Sequence, residues 1–302
     1  MSNPRRSKLF SLFVHLRLHY QLVLLSPLFI WGFLLGGKEP SIRAGLGFLA
    51  FHVFLYGGIT AYNSYYDRDE GPVGGLRFPP PVSEALLAFS LAVQAAGLAL
   101  ALFVGVEFTV LYLIVMVLSV AYSHPRWRWK ARPVLSLFVV AFGQGAIGFM
   151  GGWLCGLSPP RPWLGSPSAM LGTAVATLIT VGFFPLTQIY QTEEDSARGD
   201  RTFAVAFGVK GTFGFALVCL ALAGACMVPL VNRLWGKGDA LLVGGVFVGV
   251  LGIIVLWQRR FKNQVYANFR ILHRLQLGLS LGMLGYMGVR LILAFHSGRG
   301  GT

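Results

Sequence analysis

Apolar residues occur along this chain in runs of about 20, and a helix of that length crosses a bilayer core of roughly 30 Å. Nine runs fall near 18–36, 43–66, 83–105, 107–123, 134–157, 168–191, 211–232, 239–258 and 272–296. Polar residues collect between them. No period-two alternation marks barrel strands, and lipid offers backbone groups no water partner, so each run is predicted to be a helix. Residues 7–19 mix Lys8, Arg17 and His19 with apolar positions and read as an amphipathic lead-in. No small-residue cleavage site follows Gln21 to Leu35, so the first run is read as an uncleaved span. The expected architecture is all-α: one polytopic membrane helix bundle of about nine transmembrane helices over residues 1–302.

Composition agrees. Of 302 residues, 55% are hydrophobic and only 12% are charged, about half the charged share of an ordinary soluble domain. The mean hydropathy is +0.66. A water-soluble globule and a disordered chain are both excluded. The balance of 25 Lys plus Arg against 11 Asp plus Glu gives a net charge of +14. In a soluble protein that would suggest nucleic acid; here the basic residues collect in loops on one side. With the N-terminus inside, the inner segments hold 18 of the 25 and the outer ones six, while Arg290 lies within the last run. The positive-inside rule then puts the N-terminus in the cytoplasm and the C-terminus outside, expected in the cell (inner) membrane. The cytoplasmic loops are 67–82, 124–133, 192–210 and 259–271. Cys155, Cys219 and Cys226 lack ligand or disulfide spacing and read as packing residues.

Acids are scarce, so their positions carry information. Seven of the eleven form two clusters at inner span ends: Asp67, Asp69, Glu70, and Glu193, Glu194, Asp195, Asp200. Like charges gathered at a membrane edge need a cation, and Mg²⁺ prefers carboxylate and amide oxygens beside phosphates. Asn63 and Asp67 lie four residues apart, as do Gln191 and Asp195, so each pair shares a helix face. Two such faces opposed across a bundle would grip a diphosphate through bridging Mg²⁺. Arg126, Arg128, Lys130 and Arg132 in the 4–5 loop, with Arg198, Arg201, Arg68, Arg77 and Arg17, supply cations on the same side. In the second span His52, Tyr56, Asn63 and Asp67 fall on one helical stripe. His52 and Tyr56 are therefore candidates for the chamber wall, Tyr56 facing a cation with its ring. Gln144 and Gln188 are similar candidates. The Gly/Pro run at 71–81 reads as a lid or a plain turn, and Arg290 as snorkelling outward.

These segments resemble a family. AYNSYYDRDEG, Ala61 to Gly71, is similar to the first aspartate-rich motif of the UbiA superfamily of intramembrane prenyltransferases. QTEEDSARGDRTFAVAFG, Gln191 to Gly208, is similar to the second. AYSHPRWRWKARP resembles the family's Tyr-Ser, Pro, Lys-x-Arg-Pro segment, and the likeness covers about residues 15–295. Two positions depart from the motifs: Gly71 and Gln191 stand where aspartates are expected.

The resemblance implies a Mg²⁺-dependent enzyme that ionises an allylic polyprenyl diphosphate and passes the prenyl group to a lipophilic or aromatic acceptor amid membrane lipids. It implies Asn63, Asp67, Gln191 and Asp195 on Mg²⁺, with Glu70 and Glu194 as substitutes. Lys130, Arg132, Arg17, Arg68 and Arg198 would contact the diphosphate. Tyr122 would bond the phosphate or shield the cation. A membrane terpene cyclase of the same fold, in which the tail's own double bond attacks, stays open. So do a carrier of anions, which the edge position of the acids disfavours, and a prenyl-lipid binder without turnover.

Overall fold

The computed structural model describes residues 4–37, 41–156 and 163–298, without the side chains of 4–8 and 294–298. Several residues of the charge count, among them Arg5, Arg6, Lys8, Lys38, Arg161 and Arg299, lie outside the described side chains. The lead-in is a helix, α1 (Pro4–Val14). The first run forms α2 (Tyr20–Gly36), the shortest of the apolar helices. Eight further helices are long and apolar enough to cross a membrane. They are α3 (Ile42–Asp67), α4 (Ala85–Val104), α5 (Val106–Ser123), α6 (Pro133–Cys155), α7 (Pro167–Thr187), α9 (Phe203–Trp235), α10 (Lys237–Arg259) and α11 (Val265–Gly298). A short helix, α8 (Thr192–Ala197), precedes α9.

The expected 192–210 loop is therefore largely helical. The α-helical part of α7 ends at Phe183, and Pro185, which cannot donate within a helix, opens the single 3₁₀ turn that finishes it at Thr187. The chain restarts in α8, and Phe203 begins α9, which bends where Gly208 takes φ 69°. The last span likewise begins at Val265, not at 272.

Outward positions such as Leu102, Phe103, Val117, Val218, Leu241 and Val248 are exposed. In water such a surface would aggregate; against lipid tails it is matched. Inside, one cluster centres on Trp31, Phe149 and Val231, and a second on Leu186, Phe213 and Ile254. Lipid tails are as apolar as these side chains, so close packing, more than burial from water, holds the bundle. The tightest crossing joins α2 and α6. A Cβ on Gly32 or Gly36 would overlap the carbonyls of Phe149 or Trp153, and one on Gly152 would overlap that of Phe29. Gly152→Ala must push two backbones apart. A stability loss of about 1–3 kcal/mol is expected, read as a lower unfolding temperature in detergent.

Three helices contain a widened π turn, at Tyr20–Leu25, Ala50–Leu55 and Ala141–Ala146. The first and third contribute to the wall of the central cavity through Tyr20, Leu24, Leu25, Gly143 and Gln144, and the second ends one residue before Tyr56, which also lines it. Such turns re-aim side chains and leave carbonyls able to accept a further donor. The Gly143 carbonyl, within the α6 turn, accepts from the Tyr56 hydroxyl at 2.9 Å.

Candidate active site

A cavity of about 290 Å³ opens where α2, α3, α5, α6, α7 and α11 converge. Its deeper wall is apolar, built from Leu24, Leu28, Val115, Leu118, Ile179 and Phe183. Its mouth holds four carboxylates, Asp67, Asp69, Asp195 and Asp200, interleaved with Arg17, Lys130 and Arg198. The two acidic clusters thus meet across the bundle.

Each cluster is placed by the same local device. Helix α3 ends at Asp67, and Arg68 takes the left-handed conformation at φ 51°. That reversal carries Asp69 to the cavity and turns Arg68 outward. In the second cluster Asp195 sits in α8, Gly199 takes φ 76°, and Asp200 follows into the mouth. Glycine suits a left-handed helix end because it has no Cβ to clash.

The acids are held by cations and hydroxyls. The Lys130 ammonium, almost fully buried, touches the Asp67 carboxylate, and Arg128 lies 3.8 Å from the same oxygen. Arg128 also donates two parallel bonds to Asp200, at 2.6 and 2.7 Å. Arg198 is the hub. It donates to Asp69 at 2.9 Å, to the Asp67 carbonyl at 3.0 Å and to Asp195 at 3.3 Å, and it lies 3.6 Å from Glu194. Thr202 donates to the other Asp195 oxygen at 3.0 Å. Burial pushes the Asp195 carboxyl up to about 6, against the opposing pull of Thr202 and Arg198.

Arg17 is also buried, and its guanidinium donates to Ser64 at 2.8 Å. Above it lies the Gly/Pro segment as a tight two-residue hairpin. Val73 and Leu76 exchange backbone bonds at 2.9 and 2.8 Å, and Gly74 and Gly75 both take positive φ, the signature of a primed hairpin turn. A Cβ on Gly74 would collide with the Arg17 guanidinium. The segment therefore seats on Arg17 at the rim, and Val73, Gly74 and Gly75 line the cavity.

Asn63, Asp67, Tyr122, Lys130, Gln191, Asp195, Arg198, Arg17 and Tyr56 all line this cavity, as do Gln144 and Gln188. Asn63 already accepts from the Ser123 hydroxyl at 2.9 Å, and Gln191 donates weakly to the Pro72 carbonyl at 3.4 Å.

Other expectations need correction. His52 is not among the lining residues. It is buried one turn behind Tyr56, its ring 5.6 Å from the Tyr56 ring and packed against those of Phe29 and Phe48 at 5.5 and 4.7 Å. Arg68 lies outside, paired with Glu84 at 2.8 Å. Arg132 is exposed, because the 3₁₀ turn at Trp129–Ala131 advances about 120° per residue and turns Lys130 in and Arg132 out. Glu70 and Glu194 sit outside the lining. The Glu194 carboxylate instead accepts from the Glu70 backbone N–H at 3.3 Å and fills the space above Gly71, where a Cβ would meet it at 3.0 Å. It ties the two acidic segments together at the position where the motif's aspartate is missing. Arg290 pairs with Asp239 in the first turn of α10 and lies over the rings of Trp235 and Tyr286. Asp69, Asp200, Arg128 and Thr202 are site residues that helical spacing missed. The Gly199 helix stop was the legible signal for Asp200.

Among the described residues no group of three or more His, Cys, Asp or Glu is arranged as a ready metal cage. The donor set nonetheless fits Mg²⁺. That ion is held by one or two carboxylates, waters and substrate phosphates, not by an all-protein cage. The Asp69 Oδ2 atom is buried without a hydrogen-bond partner, which is costly unless a cation arrives.

Fold and site together define a helical membrane protein with a charged, cation-ready mouth over a greasy chamber. Residues 24–276 match the UbiA prenyltransferase family, and the chain belongs to that family. A lycopene elongase/hydratase from Haloarcula japonica is 29% identical over 213 residues, 67% of this chain. The chain spans 65% of that relative's length. A UbiA homolog from Archaeoglobus fulgidus, solved with GPP and Mg²⁺, superposes with a TM-score of 0.66 at 19% identity, over 91% of this chain and 99% of that one. A digeranylgeranylglyceryl phosphate synthase structure gives a TM-score of 0.64 at 17% identity, over 93% and 98%.

Proposed function

We propose that this protein is an intramembrane prenyltransferase that ionises an allylic isoprenoid diphosphate at the cavity mouth and transfers the prenyl group to a lipophilic acceptor. The observation that carries this reading is the union, in one cavity, of four aspartates and three buried or half-buried cations with an apolar chamber beneath. The excess of Lys and Arg in the loops on the mouth's side supports a cytoplasmic orientation for it. The relative named a lycopene elongase/hydratase supports an isoprenoid hydrocarbon as acceptor over an aromatic ring.

Each residue then has a task. Asp67, Asp69 and Asp195, with the amide oxygens of Asn63 and Gln191, would hold Mg²⁺. When bound, that ion neutralises the leaving diphosphate and lowers the barrier to C–O cleavage. Lys130, Arg17 and Arg198 bind the phosphate oxygens from the protein side. The C–O bond breaks, and its electron pair leaves with the diphosphate. Tyr122, at the base of the mouth, shields the allylic cation from water. A double bond of the acceptor then supplies the pair for the new C–C bond, and the acceptor loses a proton or takes up water. Gly74 and Gly75 let the hairpin lie close over Arg17, keeping bulk water out.

The test is to supply C10 to C20 allylic diphosphates with Mg²⁺ to membranes carrying the protein, following diphosphate release and the mass of new lipids. Prenylated lipids are expected. A cyclic hydrocarbon or alcohol formed with no acceptor would instead establish the cyclase.

The raised Asp195 carboxyl sets a pH limb. Below about 6 it is protonated and offers the metal a neutral oxygen. At limiting Mg²⁺, release should fall toward about tenfold per pH unit below that point, and Asp195→Asn should flatten the limb. Stability runs the other way. A carboxyl raised above its ordinary value near 3.9 stabilises the ligand-free fold most at low pH, and that contribution is lost as pH rises through 6. Thermal melts against pH, with and without Mg²⁺, separate the two trends.

A further inference from the structure

A second cavity, of about 310 Å³, lies between α10 and α11, closed from behind by α2, α7 and α9. It shares Ile179, Phe183, Leu279 and Met283 with the first, so these four residues face both chambers. We propose that this second cavity receives the hydrocarbon chain of the acceptor, which enters sideways from the lipid core and reaches the reacting carbon past Phe183. The proposal rests on the prenyltransferase reading and adds where, and in what chemical form, the second substrate binds.

Four observations carry it. First, the lining offers almost nothing to a polar ligand. Its side-chain nitrogen and oxygen groups are one unpartnered donor, the buried Trp31 indole N–H, and the Tyr286 hydroxyl, which already donates to Asp239 at 2.7 Å. A charged or many-atom polar headgroup buried here would leave most of its polar atoms without partners, since one indole N–H can serve only one acceptor. Second, the cavity opens toward lipid. Gly278, Gly282, Leu242 and Val246 line it and are exposed. Gly278 and Gly282 sit near the middle of the Val265–Leu293 span, at the depth of acyl chains and not of headgroups.

Third, the two glycines leave the mouth of the cleft unobstructed. A Cβ on Gly278 or Gly282 would meet nothing within 4 Å, so close backbone packing does not require them. A helix-interior glycine costs about 1 kcal/mol relative to alanine; here it leaves the entrance clear. Fourth, the size suits. A cavity of roughly 150 Å³ holds benzene, so 310 Å³ admits about two isoprene units. The donor, by contrast, is fixed by its diphosphate at the charged mouth and has its own apolar wall at Leu24, Leu28 and Leu118. Beyond the cleft, Arg290 and Asp239 pair beside Tyr286.

The experiment uses the full chain in lipid nanodiscs with two diazirine photoprobes: a C20 isoprenoid hydrocarbon without a headgroup, and a C20 allylic diphosphate. Labelled peptides are mapped by mass spectrometry in wild type, Gly282→Leu, Gly278→Leu and Gly285→Leu. Gly285 is equally open but is not a lining residue, so it controls for adding bulk to the same helix. The hydrocarbon is expected to label α10 and α11 around the cleft in wild type and Gly285→Leu. Labelling should fall about tenfold in each of the other two variants, while the diphosphate probe continues to label the first cavity. Cleft labelling by the diphosphate probe that Gly282→Leu removes would overturn the proposal and give the cleft to the donor's tail. Hydrocarbon labelling elsewhere, or unchanged in both cleft variants, would also overturn it. Failure of the diphosphate probe to label the first cavity in any protein would sink the prenyltransferase reading, and is read separately from the hydrocarbon arm.

Discussion

Asp67→Asn is expected to cut diphosphate release by about 10²–10³-fold, the usual loss when one preorganised electrostatic group is removed from a reacting centre. The substitution keeps the side chain's size and an oxygen able to accept a bond, so folding should survive. What disappears is one negative charge at the point where Lys130 and Arg128 converge on the cavity mouth. Two effects add. The metal loses an anionic oxygen, and the buried Lys130 ammonium loses its counter-charge and becomes easier to deprotonate. Both weaken the grip on a leaving diphosphate. The Mg²⁺ concentration for half-maximal release should rise as well, which distinguishes a lost ligand from a general loss of activity. Wild-type release rates in Asp67→Asn would detach this residue from the leaving group.

The helices themselves were legible because twenty-residue apolar runs admit few other structures in lipid. The site was legible to the extent that it lies on regular helix. Asn63 and Asp67 share a face at the end of α3, and both reach the cavity. His52 and Tyr56 keep their rings 5.6 Å apart as the stripe predicts, yet only Tyr56 reaches the cavity. Where the backbone leaves the regular period, residue spacing misled. The 3₁₀ turn before α6 chose Lys130 over Arg132. The left-handed residues Arg68 and Gly199 delivered Asp69 and Asp200 to a mouth that counting by fours could not place them in. Gly71 shows a different limit. Its missing carboxylate became intelligible only when the Glu194 side chain was seen to occupy that space from the opposite segment. Sequence reports which groups exist; which of them share a volume is decided by turns of one or two residues.

The largest stability effect is expected from Arg198→Met in the absence of Mg²⁺. Arg198 bridges both acidic segments: Asp69 and the Asp67 carbonyl on one side, Asp195 and Glu194 on the other. Its side chain is about one-fifth exposed, while those of Asp69, Asp195 and Asp200 are nearly sealed from solvent. Removing it leaves buried carboxylates facing one another with one cation fewer. Breaking a pair of this kind costs about 3 kcal/mol, and methionine preserves the stem's packing, so the loss reports on charge. The missing guanidinium also takes away a force that holds Asp195 down. Its carboxyl should rise further, and the acid limb of activity should move to higher pH. Mg²⁺ supplies positive charge to the same oxygens, so it should recover more stability in Arg198→Met than in wild type. Arg198→Lys should recover only part, because a single ammonium cannot span two segments as the planar fork does. Melting temperatures for the three proteins across a Mg²⁺ titration test this. Equal melting of wild type and Arg198→Met without Mg²⁺, or an identical response to the ion, would mean that the two acidic segments are held together by something other than this arginine.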